Sequence, residues 1–255
     1  MNIRRLANIV GLALVLAVNW LANTLPLNGQ TTGQVSDDIP SLFTPAGYVF
    51  SIWGVIYLGL IAFVVYQSLP AQREAAFVRR IGFWFFASCL FNAGWIFLWH
   101  YERFAWTQVA MLCLLVSLLV IYERLKIGRT RVAPAVRWLV HLPFSLYLAW
   151  ISVATIANTA VLLTVVGWNG WGLSPVVWTV AVILVGGGLG LAMIWRRNEV
   201  AYPLVIVWAF AGIVVARPEV APVAVAAGGV AVLLAAALVI ARLRRKTAAK
   251  IYENP

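Results

Sequence analysis

Residues 104–125 read FAWTQVAMLCLLVSLLVIYERL, and KIGRTR follows at 126–131. No Lys, Arg, Asp or Glu occurs between Phe104 and Tyr122, after which Arg124, Lys126, Arg129 and Arg131 arrive in quick succession. An apolar run of about 20 residues is long enough to cross a bilayer as a helix. A basic cluster at one end marks the inner side. Working outward, comparable runs lie at 6–25, 45–68, 81–101, 138–166, 175–195, 200–216 and 219–241. The composition agrees: 63% of the 255 residues are hydrophobic and 11% charged, with a mean hydropathy of +0.92. An ordinary soluble domain carries about 25% charged residues. The chain is therefore read as all-α, a polytopic membrane protein with eight transmembrane helices.

The net charge of +11 follows the topology and is not a nucleic-acid signal. Alternate connecting segments hold Arg4 and Arg5; Arg73, Arg79 and Arg80; Arg124 to Arg137; Arg196 and Arg197; and the tail from Arg242 to Lys250, together 17 of the 19 basic residues. The other segments hold only Arg103 and Arg217. Both termini are therefore expected on the cytoplasmic side of the cell membrane. Thr44-Pro45 and Ser174-Pro175 each read as an N-cap followed by proline at the first helical position. The long outer segment 26–44 reads as either a lid or a disordered link. Gly186, Gly187, Gly188 and Gly190 read as close helix contact.

Of 13 tryptophans, nine fall near the ends of spans and read as interfacial belts, Trp99 and Trp178 among them. Trp53, Trp95, Trp150 and Trp208 lie deeper, where an indole N–H needs an acceptor or a wet cavity. Asn19, Asn92 and Asn158 share a level with Trp53, roughly 9–14 Å below the outer boundary at 1.5 Å per residue. Such amides face the bundle interior, as interhelical glue or as a pocket. No charged residue lies mid-span, which argues against proton pumps, voltage sensors and Schiff-base chemistry. His100 and His141 stand near opposite ends of their spans, too far apart to share a metal. Cys89 and Cys113 match no metal or redox spacing. Side-chain catalysis and a metal site are not expected.

Three segments, in order, carry a resemblance. They are Pro45-Ala-Gly-Tyr48-Val-Phe50-Ser-Ile-Trp53-Gly-Val-Ile-Tyr57, Phe91-Asn92-Ala-Gly-Trp95, and Trp150-Ile-Ser-Val-Ala154-Thr155-Ile-Ala-Asn158. Over residues 1–168 the chain resembles the TspO/MBR family of tryptophan-rich sensory and translocator proteins. It departs in having only Phe43-Thr44-Pro45 before the second span and Tyr48 where tryptophan is usual. The resemblance implies a TspO-like five-helix bundle (1–168) followed by a three-helix extension with a basic cytoplasmic tail (169–255).

It further implies a pocket for porphyrin or haem, bound without covalent attachment. Trp53 and Trp150 would be stacking walls, Asn92 and Asn158 hydrogen-bonding groups, Ala154 the small residue that leaves room, and Tyr48 and Phe50 the mouth. Tyr57, Trp95 and Thr155 complete the ligand-binding set. The function so implied is a receptor or carrier for tetrapyrrole-like molecules. Light-driven oxidative breakdown of a bound porphyrin by buried Trp is an alternative, and so is a membrane scaffold or assembly partner docking through the last three helices. The expected partners are a small lipophilic ligand and membrane lipid, with a homodimer as an option and no nucleic acid.

Overall fold

A computed structural model describes residues 2–25 and 27–253, with side chains described as far as residue 244. The basic tail residues Arg245, Lys246 and Lys250 lie beyond the described side chains. Helices in chain order are α1 (Ile3–Thr24), α2 (Thr32–Asp37), α3 (Ile52–Ser68), α4 (Ala76–Ile81), α5 (Trp84–His100), α6 (Phe104–Leu125) and α7 (Pro134–Val136). They continue with α8 (Leu142–Val165), α9 (Pro175–Arg197), α10 (Ala201–Ala216) and α11 (Ala221–Glu253). Among the described residues there is no β-strand. Six helical stretches are long and apolar enough to cross a membrane: Ile3–Thr24, Gly47–Ser68, Phe104–Leu125, Pro134–Val165, Pro175–Arg197 and Ala221–Arg244. The protein is a helical, polytopic membrane protein. The other two expected spans are shorter, α5 with 17 residues and α10 with 16.

Gly82 accounts for the shortening of α5. Its φ of +62° and ψ of −127° lie where side-chain-bearing residues are strained. The run from 76 to 100 is thereby cut into α4 and α5, where one span from 81 had been expected. The stretch 134–165 shows the opposite behaviour and stays helical through Pro143. Proline lacks the N–H that would bond four residues back, and a single π-turn over Arg137–His141 absorbs the mismatch, with the Leu142 N–H donating to the Arg137 carbonyl.

Helix α5 lies against α1 and α6, α6 lies against α8, and α3 fits between α1 and α8. The last three helices pack mainly on one another, and α10 joins them to α8. The small residues of α9 are used inside this unit. A Cβ at Gly187 would stand 2.6 Å from Val230 and one at Gly190 2.8 Å from Leu234, so glycine lets α9 and α11 approach closely. Ser174 caps α9 as expected, accepting from the Val177 N–H at 3.4 Å with Pro175 at the first position. Thr44 caps nothing. Residues 45–46 are drawn to α10, where the Ala46 N–H donates to the Gly212 carbonyl at 3.1 Å, and a 3-10 turn at Gly47–Ser51 leads into α3 instead.

The segment before it is a folded lid. Thr31 and Gln34 form a reciprocal capping box at the start of α2, and Val35 is buried against Trp99, Phe104 and Val161. Three further bonds fasten the segment to the bundle. Trp99 Nε1 donates to the Thr32 carbonyl at 3.1 Å, Asn28 Nδ2 to the His100 carbonyl at 2.9 Å, and Arg217 Nη2 to the Ser41 carbonyl at 2.9 Å.

Candidate ligand cavity

Under this lid, α3, α5, α6 and α8 enclose a cavity of about 80 Å³. Its wall on α8 is one helical face. Trp150, Ala154, Asn158 and Val161 recur three or four residues apart and all line it, with Ala157 beside them on the same face, as the helical period requires. Opposite stand Phe50 from the 3-10 turn and Trp53 from the start of α3, then Asn92, Trp95 and Trp99 from α5. Met111 and Leu114 of α6 form the apolar side, and Thr32, Ser36, Thr44 and Pro45 close the top.

The rings are held edge to face around Trp150. Its ring centroid lies 6.3 Å from Trp53 at 83° and 5.8 Å from Phe50 at 89°. Trp95 and Trp99 are stacked, 5.1 Å apart and 22° from parallel. Both arrangements are favourable for rings whose faces are negative and whose edges are positive.

The amides serve as glue and as lining at once. Asn92 accepts from Asn19 Nδ2 at 2.9 Å and donates to the Tyr147 hydroxyl at 3.0 Å, linking α1, α5 and α8. Asn158 accepts from Trp95 Nε1 at 2.9 Å and donates to Gln108 Oε1 at 2.7 Å, linking α5, α8 and α6. One donor is left over. The Trp150 indole N–H is buried and has no hydrogen-bond partner among the described residues, although Trp150 itself is a wall of the cavity.

Seven of the ten residues expected at the site line it together: Phe50, Trp53, Asn92, Trp95, Trp150, Ala154 and Asn158. Three do not. Tyr48 is turned outward by the 3-10 turn and meets the edge of Trp208, ring centroids 5.4 Å apart. Tyr57 lies one turn below Trp53 and stacks on it at 5.2 Å, beneath the cavity floor. Thr155 sits beside the lining face of α8 and donates its hydroxyl to the Ile151 carbonyl of its own helix. Trp99, read as a belt residue, is buried (4% exposed) and lines the cavity. It stands one helical turn from Trp95, a spacing that would have identified it. Trp208 finds its acceptor in the Val49 carbonyl, at 3.0 Å.

The model of the TSPO-like protein family matches residues 5–240. The chain belongs to this family. The match takes in the helices beyond residue 168 as well as the five-helix part to which the resemblance had been confined. No curated protein and no solved structure matches the chain.

The Asn158 linkage carries a prediction for this TSPO-like bundle. Asn158→Leu strips the partner from the Trp95 indole and from Gln108, and is expected to cost about 1–2 kcal/mol, read as a lower thermal midpoint in detergent. Thr155→Val removes only a bond within one helix and is expected to leave the midpoint unchanged.

Proposed function

We propose that this TSPO-like protein is a membrane receptor or carrier for flat lipophilic ligands of the tetrapyrrole class, porphyrin or haem, held in the cavity under the lid. The observation that carries this reading is a cavity walled by Phe50, Trp53, Trp95, Trp99 and Trp150, with the amides of Asn92 and Asn158 in its lining and an unpaired indole N–H on Trp150 in its wall. A buried donor without an acceptor is costly, and a ligand with carbonyl or carboxylate oxygens supplies one. At about 80 Å³ the cavity is smaller than the roughly 300–1,000 Å³ of pockets that bury drug-sized ligands. The state described is therefore closed, and porphyrin binding requires the lid at 27–44 to lift and the rings beneath it to part. Saturable quenching of tryptophan fluorescence by protoporphyrin, weakened by Trp150→Phe, is the expected result. Quenching that does not saturate, or that Trp150→Phe leaves unchanged, would refute the reading.

The stacked Trp95–Trp99 pair lining the cavity favours a second reading, in which illuminated porphyrin is broken down oxidatively with dioxygen as the oxidant, the indoles passing electrons to the photoexcited ring, which hands them on to dioxygen. Illumination followed by product analysis separates the two, since a receptor returns its ligand intact. A scaffold role finds less support, because Gly186, Gly187 and Gly190 are occupied by Phe210, Val230 and Leu234 of the same chain.

For the topology we propose eight spans, with α5 and α10 crossing where the bilayer thins around them and both termini on the cytoplasmic side. In a Cys89→Ala Cys113→Ala background, cysteines at Gly33 and Leu173 are expected to react with an impermeant thiol reagent added to intact cells. A cysteine at Arg129 is expected to stay protected. Labelling at 129 and protection at 33 would reverse the orientation.

A further inference from the structure

At the opposite, basic end of the bundle, Arg4 of α1, Arg79 of α4 and Arg124 of α6 line one open pocket of about 410 Å³. The bend at Gly82 creates it, because α4 turns away there before α5 begins. Phe83 and Trp84 form its apolar shoulder, and the Arg124 guanidinium lies 5.9 Å over the Trp84 ring.

Charge asymmetry across a membrane requires basic residues in these loops. It does not require that arginines from three helices line one pocket with no carboxylate in its lining. Glu74 reaches Arg79 only at 3.8 Å, with both side chains largely exposed. Glu123, next to Arg124 in sequence, is committed to Arg129 and Arg197. Arg4 makes no side-chain hydrogen bond or ion pair among the described residues, and Arg124 only its ring contact. Three like charges held together with only one loose, exposed counter-charge are an anion site in the making. Guanidinium forks suit phosphate oxygens in particular.

The pocket opens onto an apolar track. Phe83, the residue before α5, and Ala87 and Leu90 within it recur at i, i+4 and i+7, running from the arginines toward the middle of the membrane. Phe83 and Leu90 are 49% and 45% exposed. A soluble phosphate has no use for such a stripe, whereas an acyl chain does.

We propose that this pocket is a binding site for a phospholipid with an anionic headgroup. Arg4, Arg79 and Arg124 hold the phosphate and headgroup oxygens, and one acyl chain lies along Phe83, Ala87 and Leu90. The site is independent of the ligand cavity and stands whether or not that cavity takes porphyrin.

Native mass spectrometry of the full chain in detergent, with phosphatidylglycerol or phosphatidylcholine added, tests the proposal. Wild type is expected to retain phosphatidylglycerol in preference to phosphatidylcholine. The Arg4→Gln Arg79→Gln Arg124→Gln variant is expected to bind phosphatidylglycerol about tenfold more weakly or worse. A control that removes the same charge elsewhere, Arg73→Gln Arg131→Gln Arg242→Gln, is expected to change it less than about twofold. Ala87→Trp keeps every charge but fills the track, and is also expected to release the lipid. Equal losses in the two triple variants, or undiminished binding in Ala87→Trp, would overturn the site. Displacement of the lipid by millimolar inorganic phosphate would also overturn it, by assigning the pocket to a soluble anion. Should the pocket triple fail to fold, Arg124→Gln alone decides, since that side chain is exposed: loss of the phosphatidylglycerol preference supports the site and its retention refutes it.

Discussion

Ala154→Phe is expected to abolish porphyrin binding while leaving the protein folded and its thermal midpoint close to that of wild type. Ala154 lies on the lining face of α8 between Trp150 and Asn158, with one turn of helix to either side. The residue lines the cavity, so a ring placed there fills room that a ligand would use. With only about 80 Å³ free in the closed state, little space remains once the ring is in place. Opening the lid does not restore it, because the added ring is anchored to the wall. A fall in affinity of about 100-fold, near 3 kcal/mol, is the expected reading from tryptophan quenching titrations. If the same face were packed against protein, overpacking would instead cost about 1–3 kcal/mol of stability. A variant that melts early, or one that is stable and binds porphyrin normally, would remove the cavity from consideration as the binding site.

Gly212→Ala is expected to have the largest effect on stability. A Cβ at this position would overlap the side chain of Val49 and stand 3.1 Å from the Cβ of Pro45. Val49 is fully buried, so it cannot simply swing aside. Helix α10 would have to retreat from residues 45–50, breaking the bond from the Ala46 N–H to the Gly212 carbonyl and that from Trp208 Nε1 to the Val49 carbonyl. A loss of about 1–3 kcal/mol follows from overpacking alone. Because Thr44, Pro45 and Phe50 line the cavity, porphyrin affinity is expected to fall along with the thermal midpoint. Val49→Ala removes the obstructing methyls, and the Val49→Ala Gly212→Ala pair is expected to recover much of both. Failure of that rescue would show that α10 does not position the mouth of the cavity through this contact.

Several features were legible because a single physical demand fixes each of them. The bilayer requires apolar length, so the runs at 6–25, 104–125 and 175–195 appear as α1, α6 and α9 within a few residues. The helical period required Trp150, Ala154 and Asn158 to share a face, and they do. Burial required the deep amides to find partners, and Asn92 and Asn158 each bridge three helices. The family resemblance rested on three such short segments, each of them local.

Other features depended on residues far away along the chain. Thr44-Pro45 has the local chemistry of a helix start, yet Gly212 claims the backbone there. The lid folds because Trp99, His100 and Arg217 offer partners to residues 28–41, whereas the same stretch alone is only polar and rich in turn formers. Trp99 near the end of α5 and Trp208 midway along α10 carry the same indole, and only packing turned one into the cavity and the other onto Val49. Hydropathy records that a side chain avoids water, and it has the same value whether the neighbour is a lipid tail or another helix. The sequence therefore determined which segments enter the membrane and which local faces they carry. The rotation of each helix, and hence which faces meet to make a cavity, was decided by close packing and by hydrogen-bond partners up to 176 residues apart.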